Sequence, residues 1–153
     1  MAQRHGHTAA TSASVLEMLK QTQAAGTRFS HSERVLYTAC EFWVAASSHA
    51  LTRFVGNIPK IVLRDAEAAF AAIGIPSVAD MLRDARNSLV AATPAIHAWD
   101  ILAQLQHRLD HLEQPIDGMI GRFAAEQTWS RLKQPTFEPG MFGLGAPAEA
   151  RTR

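Results

Sequence analysis

The most apolar stretch of this sequence is preceded by a serine and a glutamate three residues apart. Ser30 and Glu33 have the spacing of a capping box, in which each side chain bonds the backbone amide of the other at the start of a helix. Apolar side chains cover most sides of the helix that follows: Leu36, Cys40 and Trp43 form one stripe, which Tyr37, Phe42 and Val44 widen. A helix of this kind is normally buried among others. The sequence therefore predicts a helical bundle with this helix at its centre.

Residues that favour helix starts and ends recur along the rest of the chain. Helix starts are predicted at Ser14 (a capping box with Glu17), Asn57–Pro59, Ser77, Thr93–Pro94 and Ile116, and helix ends at Gly74, Pro115 and Lys133. The short connection between Gly74 and Ser77 predicts an antiparallel helical hairpin. Since no useful length of chain alternates apolar and polar residues, the predicted fold class is all-α, a single compact bundle of about six helices.

The two ends of the chain differ in composition from the predicted bundle. Residues 1–11 lack helix signals and are expected to be a flexible N-terminus, so the helical domain is predicted over residues 12–133. Residues 134–153 are rich in glycine and proline, which predicts a flexible tail. Four apolar residues could attach the first part of this tail to the bundle or to a partner: Phe137, Met141, Phe142 and Leu144.

Composition and charge narrow the classes of function. The single cysteine cannot form an internal disulfide, and neither a signal-peptide stretch nor an apolar run of membrane-spanning length is present, so a cytoplasmic protein is expected. The formal net charge is +1, which gives no overall attraction to nucleic acid. The charge is unevenly distributed, however, at +4 over residues 1–64, −5 over residues 65–130 and +2 beyond them.

Two histidines are the most metal-like feature of the sequence. His107 and His111 lie four residues apart and share a helix face with Asp100 and Gln104. Two imidazoles and a carboxylate could hold zinc, but a third ligand is not identified and the first histidine is not followed by a glutamate. We therefore predict no metal and no cofactor, and keep a metal-dependent or hydrolytic enzyme using this face as the alternative.

The remaining candidates for chemistry favour structure over catalysis. Cys40 lies on the predicted apolar stripe, which is typical of a core thiol. Glu41 is the only acid between Val35 and Ser47 and needs a partner if buried, for which Arg53 is a candidate. No glycine-rich phosphate loop, nucleophile elbow or Cys-x-x-Cys pair is present, so the sequence offers no positive evidence for an enzyme.

Three segments carry a family resemblance: SHALTRFVGN at residues 48–57, DAEAAFAAIGI at 65–75 and LDHLEQPIDGMIGRFAAEQTW at 109–129. In this order and spacing they resemble the DNA-mimic-protein (DMP-nineteen-like) family of all-helical bacterial domains, of which the chain would be a divergent member. His49 and Ala50 stand where that family has two glycines. The segment at 48–57 is predicted to be a buried turn, with Leu51 and Phe54 packed inward and Asn57 capping the next helix.

The resemblance implies a binding protein rather than an enzyme. One member of the family imitates DNA phosphates with an acidic surface and so occupies a transcription regulator. The expected function is a small interaction module that binds another protein in a regulatory role. A basic partner and a second copy of the chain are both options. The candidate partner-binding residues are Ser48, His49, Arg53, Asp100, Asp110, Glu113 and Asp117. A weak nucleic-acid binder remains a further alternative, through Arg28, Arg34, Arg53, Lys60 and Arg64.

Overall fold

The structure, a computed structural model, describes residues 11–91 and 96–133, with side chains over 11–91 and 98–127. These ranges hold seven helices and no strand: α1 Ser12–Ala24, α2 His31–Ser47, α3 Leu51–Val55, α4 Pro59–Ile73, α5 Pro76–Ala91, α6 Ile96–Asp110 and α7 Ile116–Lys133. The all-α fold class is therefore confirmed. The chain divides into two units, Met1–Phe123 and Ala124–Arg153, and the described part of the second is the end of α7.

Capping boxes begin the first two helices. At α2 the predicted box is present, with the Ser30 amide donating to Glu33 Oε1 at 2.8 Å and the Glu33 amide donating to Ser30 Oγ at 3.2 Å. At α1 the predicted start is wrong by three residues, because Thr11 is the N-cap and Ser14 is its partner at the third helical position. The Ser14 hydroxyl accepts from the Thr11 amide at 3.0 Å, the role that a glutamate often fills.

Proline and glycine mark the next boundaries, with some departures from prediction. Pro59 is the first residue of α4, but the N-cap is Ile58 without a side-chain bond, so Asn57 does not cap this helix. Gly74 ends α4 in the left-handed conformation at φ 92°, as predicted. The next helix, α5, starts at Pro76, one residue before Ser77.

The later boundaries are also partly as predicted. The predicted start at Thr93–Pro94 lies outside the described residues. Pro115 does not end α6, which stops at Asp110, where the chain tightens through a bond from the Leu112 amide to the Leu109 carbonyl at 3.2 Å. The start of α7 at Ile116 agrees with prediction, and Lys133 is the last residue that the structure describes.

The predicted buried turn after α2 contains a short helix, α3. Its Leu51 and Val55 are buried and its Phe54 is half-buried, with the Phe54 ring set edge-on to Phe42 at 6.3 Å. The predicted inward packing of Leu51 is thus confirmed. A helix of five residues gains little from its own hydrogen bonds, so packing is what stabilises it.

The central position predicted for α2 is confirmed, because α2 contacts α1, α3, α4 and α6. Phe42 and Phe70 are fully buried and meet edge-to-face at 5.9 Å between ring centroids. The prediction that Trp43 is buried with them is wrong. Trp43 is half-buried, with one side against Phe70 at 6.4 Å. The largest core side chain of α2 is therefore Phe42, one position before Trp43.

The hairpin of α4 and α5 is joined by a buried stripe and an ion-pair network. Glu67 accepts from Arg86 at 2.7 Å and from Arg83 at 3.1 Å. Burial raises the pKa of Glu67, but the hydrogen bonds from Arg86 and Arg83 outweigh burial and leave that pKa below its usual value. On the stripe, Val78, Leu82, Ala85 and Leu89 are buried as predicted and Met81 is half-buried. Within the described residues, no helix has the length and apolar character needed to cross a membrane.

Candidate partner-binding site

The turn after α2 meets the C-terminal end of α6 through a histidine and an aspartate. His49 Nε2 lies 3.2 Å from Asp110 Oδ2. Sixty-one positions separate these residues in the sequence, and both are among the predicted partner-binding residues. The fold brings these two candidates together at this contact.

The backbone of His49 is unusual for a residue with a side chain. Its φ is 55°, in the left-handed region, and it is the only described residue other than glycine with a positive φ. This conformation costs a non-glycine residue about 1–2 kcal/mol. Several backbone bonds hold the turn, including the His49 amide to the Ala46 carbonyl at 3.1 Å, while the Ser48 hydroxyl donates to the Val44 carbonyl at 2.8 Å. The imidazole is thus aimed at Asp110 by a strained position.

Gln106, one turn before Asp110 on α6, contacts both Asp110 and the end of α2. Its Nε2 donates to the Ala46 carbonyl at 2.8 Å and to Asp110 Oδ1 at 2.9 Å. Its Oε1 is buried and has no hydrogen-bond partner in the part of the chain that the structure describes. Asp110 Oδ1 therefore accepts one hydrogen bond, Oδ2 lies within ion-pair distance of His49, and the buried Gln106 Oε1 has no partner among the described residues.

A small cleft of about 210 Å³ opens beside this contact. The ends of α2 and α6 form it, and its lining residues are Trp43, Ala46, Ser47, Leu109, Asp110 and Leu112. Four of these six residues are apolar, and Asp110 is the one charged residue among them. We call it the Trp43–Asp110 cleft. It can accept an elongated group with an apolar stem and a polar or charged end.

The other predicted partner-binding residues are distributed around this surface and beyond it. Arg53 on α3, Asp100 on α6 and Glu113 after α6 are exposed. Asp117 has an internal role, because its Oδ1 accepts from the Ser12 amide at 3.1 Å and from the Ser12 hydroxyl. Its carboxylate therefore ties the start of α7 to the start of α1.

An exposed apolar patch was missed by the sequence analysis. Its members are Ile58, Ile61, Val90 and Trp99, which are between 45% and 66% exposed. Ile58 and Ile61 line a cleft of about 480 Å³ together with Leu89 and Ala98, which Val90 and Trp99 follow in the chain. One hint was present in the sequence, because Trp99 lies off the stripe of Leu102, Leu105 and Leu109 that faces the core.

The histidine face of α6 is exposed. The rings of His107 and His111 lie 4.2 Å apart between centroids, and His111 Nδ1 is 2.8 Å from the His107 carbonyl oxygen. Among the described residues no three His, Cys, Asp or Glu side chains are grouped so that they could hold a metal ion. The arrangement observed is thus a pair of tilted rings in contact at the end of a helix.

Cys40 lies in the core, and Glu41 interacts with a residue of its own helix. Burial raises the pKa of the fully buried Cys40 thiol to about 12, and the charge of Asp117 adds to this effect, so the thiol is protonated at neutral pH. Glu41 interacts with Tyr37 one turn earlier rather than with Arg53. Burial is the main cause that raises the pKa of Tyr37, and the charge and hydrogen bond of Glu41 contribute.

The basic residues of the nucleic-acid alternative belong to several separate elements. Arg28 and Arg34 line a cleft of about 650 Å³ at the connection of α1 and α2. Lys60 lines the apolar cleft at the start of α4, and Arg64 pairs with Asp65 at 3.1 Å. Arg53 lies on α3. The five residues are therefore not arranged along one helix.

Backbone strain at His49 predicts which of two variants at this position is the more stable. We expect His49→Gly to be more stable than His49→Ala by about 1 kcal/mol, because both lose the imidazole but only alanine retains the cost of a positive φ. The measurement is the free energy of unfolding in urea. The same pair at Arg53, inside α3, is the control, and there alanine should be the more stable by about 0.5–1 kcal/mol. The same order at both positions would contradict the left-handed conformation of His49.

Comparison of the chain with protein-family models, with curated proteins and with solved structures finds no match in any of the three.

Proposed function

We propose that this chain is a small interaction module that binds another protein, with a regulatory rather than a catalytic role. The observation that supports the proposal is the exposed apolar patch of Ile58, Ile61, Val90 and Trp99. Large apolar patches are rare on monomeric proteins and typically mark binding surfaces. Tryptophan is also among the residues that most often dominate binding energy.

The apolar patch and the His49–Asp110 contact share one side of α6. Trp99 and Asp110 are eleven residues apart, which is three helical turns and about 16 Å along the axis. A partner that covers this side of α6 would meet an apolar end at Trp99 and a negative end at Asp110. We therefore infer a partner that presents apolar side chains together with a basic one.

The charge distribution agrees with a basic partner. Residues 65–130 carry a net charge of −5, and this part of the chain includes Asp110 and the exposed Glu113. The family resemblance would extend the proposal to DNA mimicry, in which the partner is a DNA-binding regulator of a bacterial cell. In either form the place of action that we propose is the cytoplasm.

Copurification from the native cell tests the proposal. We expect the wild type to recover a partner protein in stoichiometric amounts. A Trp99→Ala, Ile61→Ser variant should recover about tenfold less of that protein, because central aromatic residues commonly contribute about 2 kcal/mol or more to binding. Met18→Ala is the matched control, since Met18 is an exposed apolar side chain on α1, outside the patch. Mass spectrometry quantifies the recovered protein. Equal recovery with all three chains would contradict the proposed surface.

A further inference from the structure

We propose that the Trp43–Asp110 cleft binds the guanidinium group of an arginine side chain supplied by the protein partner. This inference rests on the proposed function and names the chemistry by which one part of that surface would recognise its partner. Four properties of the cleft support it: the field of two helix ends, the hydrogen-bond acceptors, the aromatic wall and the volume.

The field in the cleft favours a cation. The last turns of both α2 and α6 contribute to its lining, and the C-terminal end of a helix carries a partial negative charge. The last turn of α2 contains no basic residue. On α6, Arg108 extends to Asp84 of α5 at 3.7 Å, and the His107 ring contacts the His111 ring. Asp110 adds a full negative charge to these helix ends.

The acceptors at the cleft suit a group with several donors. Asp110 Oδ1 accepts from Gln106 and His49 Nε2 lies 3.2 Å from Oδ2, so the carboxylate keeps lone pairs for a further donor. A guanidinium presents five N–H donors in a planar fork that matches a carboxylate, whereas an ammonium is a compact and strongly hydrated charge. Arginine is therefore favoured over lysine.

The walls and the size of the cleft suit one long side chain. Trp43 offers an aromatic face to a cation, while Leu109 and Leu112 can cover the methylene stem of an arginine. A volume of about 210 Å³ is below the roughly 300–1,000 Å³ of pockets that hold small-molecule ligands. The cleft is thus too small for a nucleotide and large enough for a single side chain.

The competing group is His49, which occupies one oxygen of Asp110. Its side chain is 68% exposed, so it can turn into solvent when a guanidinium approaches. We expect His49→Ala to bind the arginine probe at least as tightly as the wild type does.

The test is a nuclear magnetic resonance titration of the full chain with N-acetyl-arginine amide. The neutral isostere N-acetyl-citrulline amide is the probe control. We expect arginine amide to shift the Trp43 indole and the amides of residues 107–112 saturably, and citrulline amide to shift them at least tenfold more weakly. Asp110→Asn should weaken binding of arginine amide about tenfold or more, since the neutral amide cannot form a charge-assisted hydrogen bond with the guanidinium.

Two further variants test whether binding of the probe depends on the cleft. Asp65→Asn is the matched control, an exposed acid on α4 that pairs with Arg64 and does not line the cleft, and should bind like the wild type. Trp43→Leu should weaken binding about two- to fivefold through loss of the aromatic face. Equal binding of the two probes, or equal affinity of Asp110→Asn and Asp65→Asn, would overturn the inference.

The titration uses no native partner, so its outcome is independent of the copurification experiment. If the probe does not bind but recovery of a partner still depends on Trp99 and Ile61, the inference about arginine fails and the proposed function stands. If the probe binds at Asp110 but no protein depends on the apolar patch, the cleft stands as a guanidinium site and the proposed function fails.

Discussion

Replacing Phe70 by alanine is expected to lower the free energy of unfolding by about 3–5 kcal/mol, because a buried aromatic ring is removed and the space is only partly refilled. Phe70 is 0% exposed and lies on α4 against α2. Its ring is edge-on to Phe42 at 5.9 Å and to Trp43 at 6.4 Å, so the substitution also removes two aromatic contacts. Urea unfolding followed by circular dichroism measures the loss.

Trp43→Ala is the informative comparison for this result. The apolar stripe of the sequence suggests that Trp43 is the large core residue of α2 and that its loss would cost about 3–5 kcal/mol. In the structure Trp43 is half-buried and borders an open cleft, so water can fill part of the space left by its ring. We therefore expect a smaller cost than for Phe70→Ala. The reverse order would mean that the core is centred on the other side of α2.

Helix boundaries that depend on neighbouring residues could be predicted from the sequence, whereas those that depend on tertiary packing could not. The start of α2 and the end of α4 depend on neighbours in the chain, the Ser30–Glu33 box and the left-handed Gly74, and both were predicted. At α1 two overlapping pairs have the same spacing, Thr11 with Ser14 and Ser14 with Glu17, and spacing alone does not choose between them. A five-residue helix such as α3 is too short to show periodicity and depends on tertiary packing.

The contact at the candidate site also depends on tertiary packing and could not be predicted from the sequence. His49 and Asp110 were each identified, but their contact joins residues that only the packing of α2, α3 and α6 brings together. The apolar patch was missed for a related reason. Periodicity identifies the side of a helix that faces the core, whereas the exposure of Trp99 and Val90 depends on which neighbouring elements cover the other sides.

Asp117 is the second residue whose replacement should have a large effect, although the sequence placed it among exposed partner-binding acids. Its carboxylate accepts two bonds from Ser12, which is 1% exposed, at the start of α1. Asp117→Ala would leave the Ser12 amide and hydroxyl without their acceptor. Since an unsatisfied buried polar group costs about 1–3 kcal/mol, we expect a loss of stability of roughly that size in urea unfolding.

Glu113→Ala is the matched control for Asp117, because Glu113 is an exposed acid four residues earlier, and it should change stability by no more than about 0.5 kcal/mol. Asp117 also lies in the first turn of α7, where a negative charge is favourable for the helix by about 0.3–1 kcal/mol. A double-mutant cycle with Ser12→Ala separates the two contributions, since the helix effect persists without the Ser12 hydroxyl. If Asp117→Ala costs as much in the Ser12→Ala background as in the wild type, the hydroxyl bond contributes nothing and the helix dipole and the amide bond account for the effect. A coupling of about 1 kcal/mol or more would instead establish that this acid stabilises the contact between the start of α1 and the start of α7.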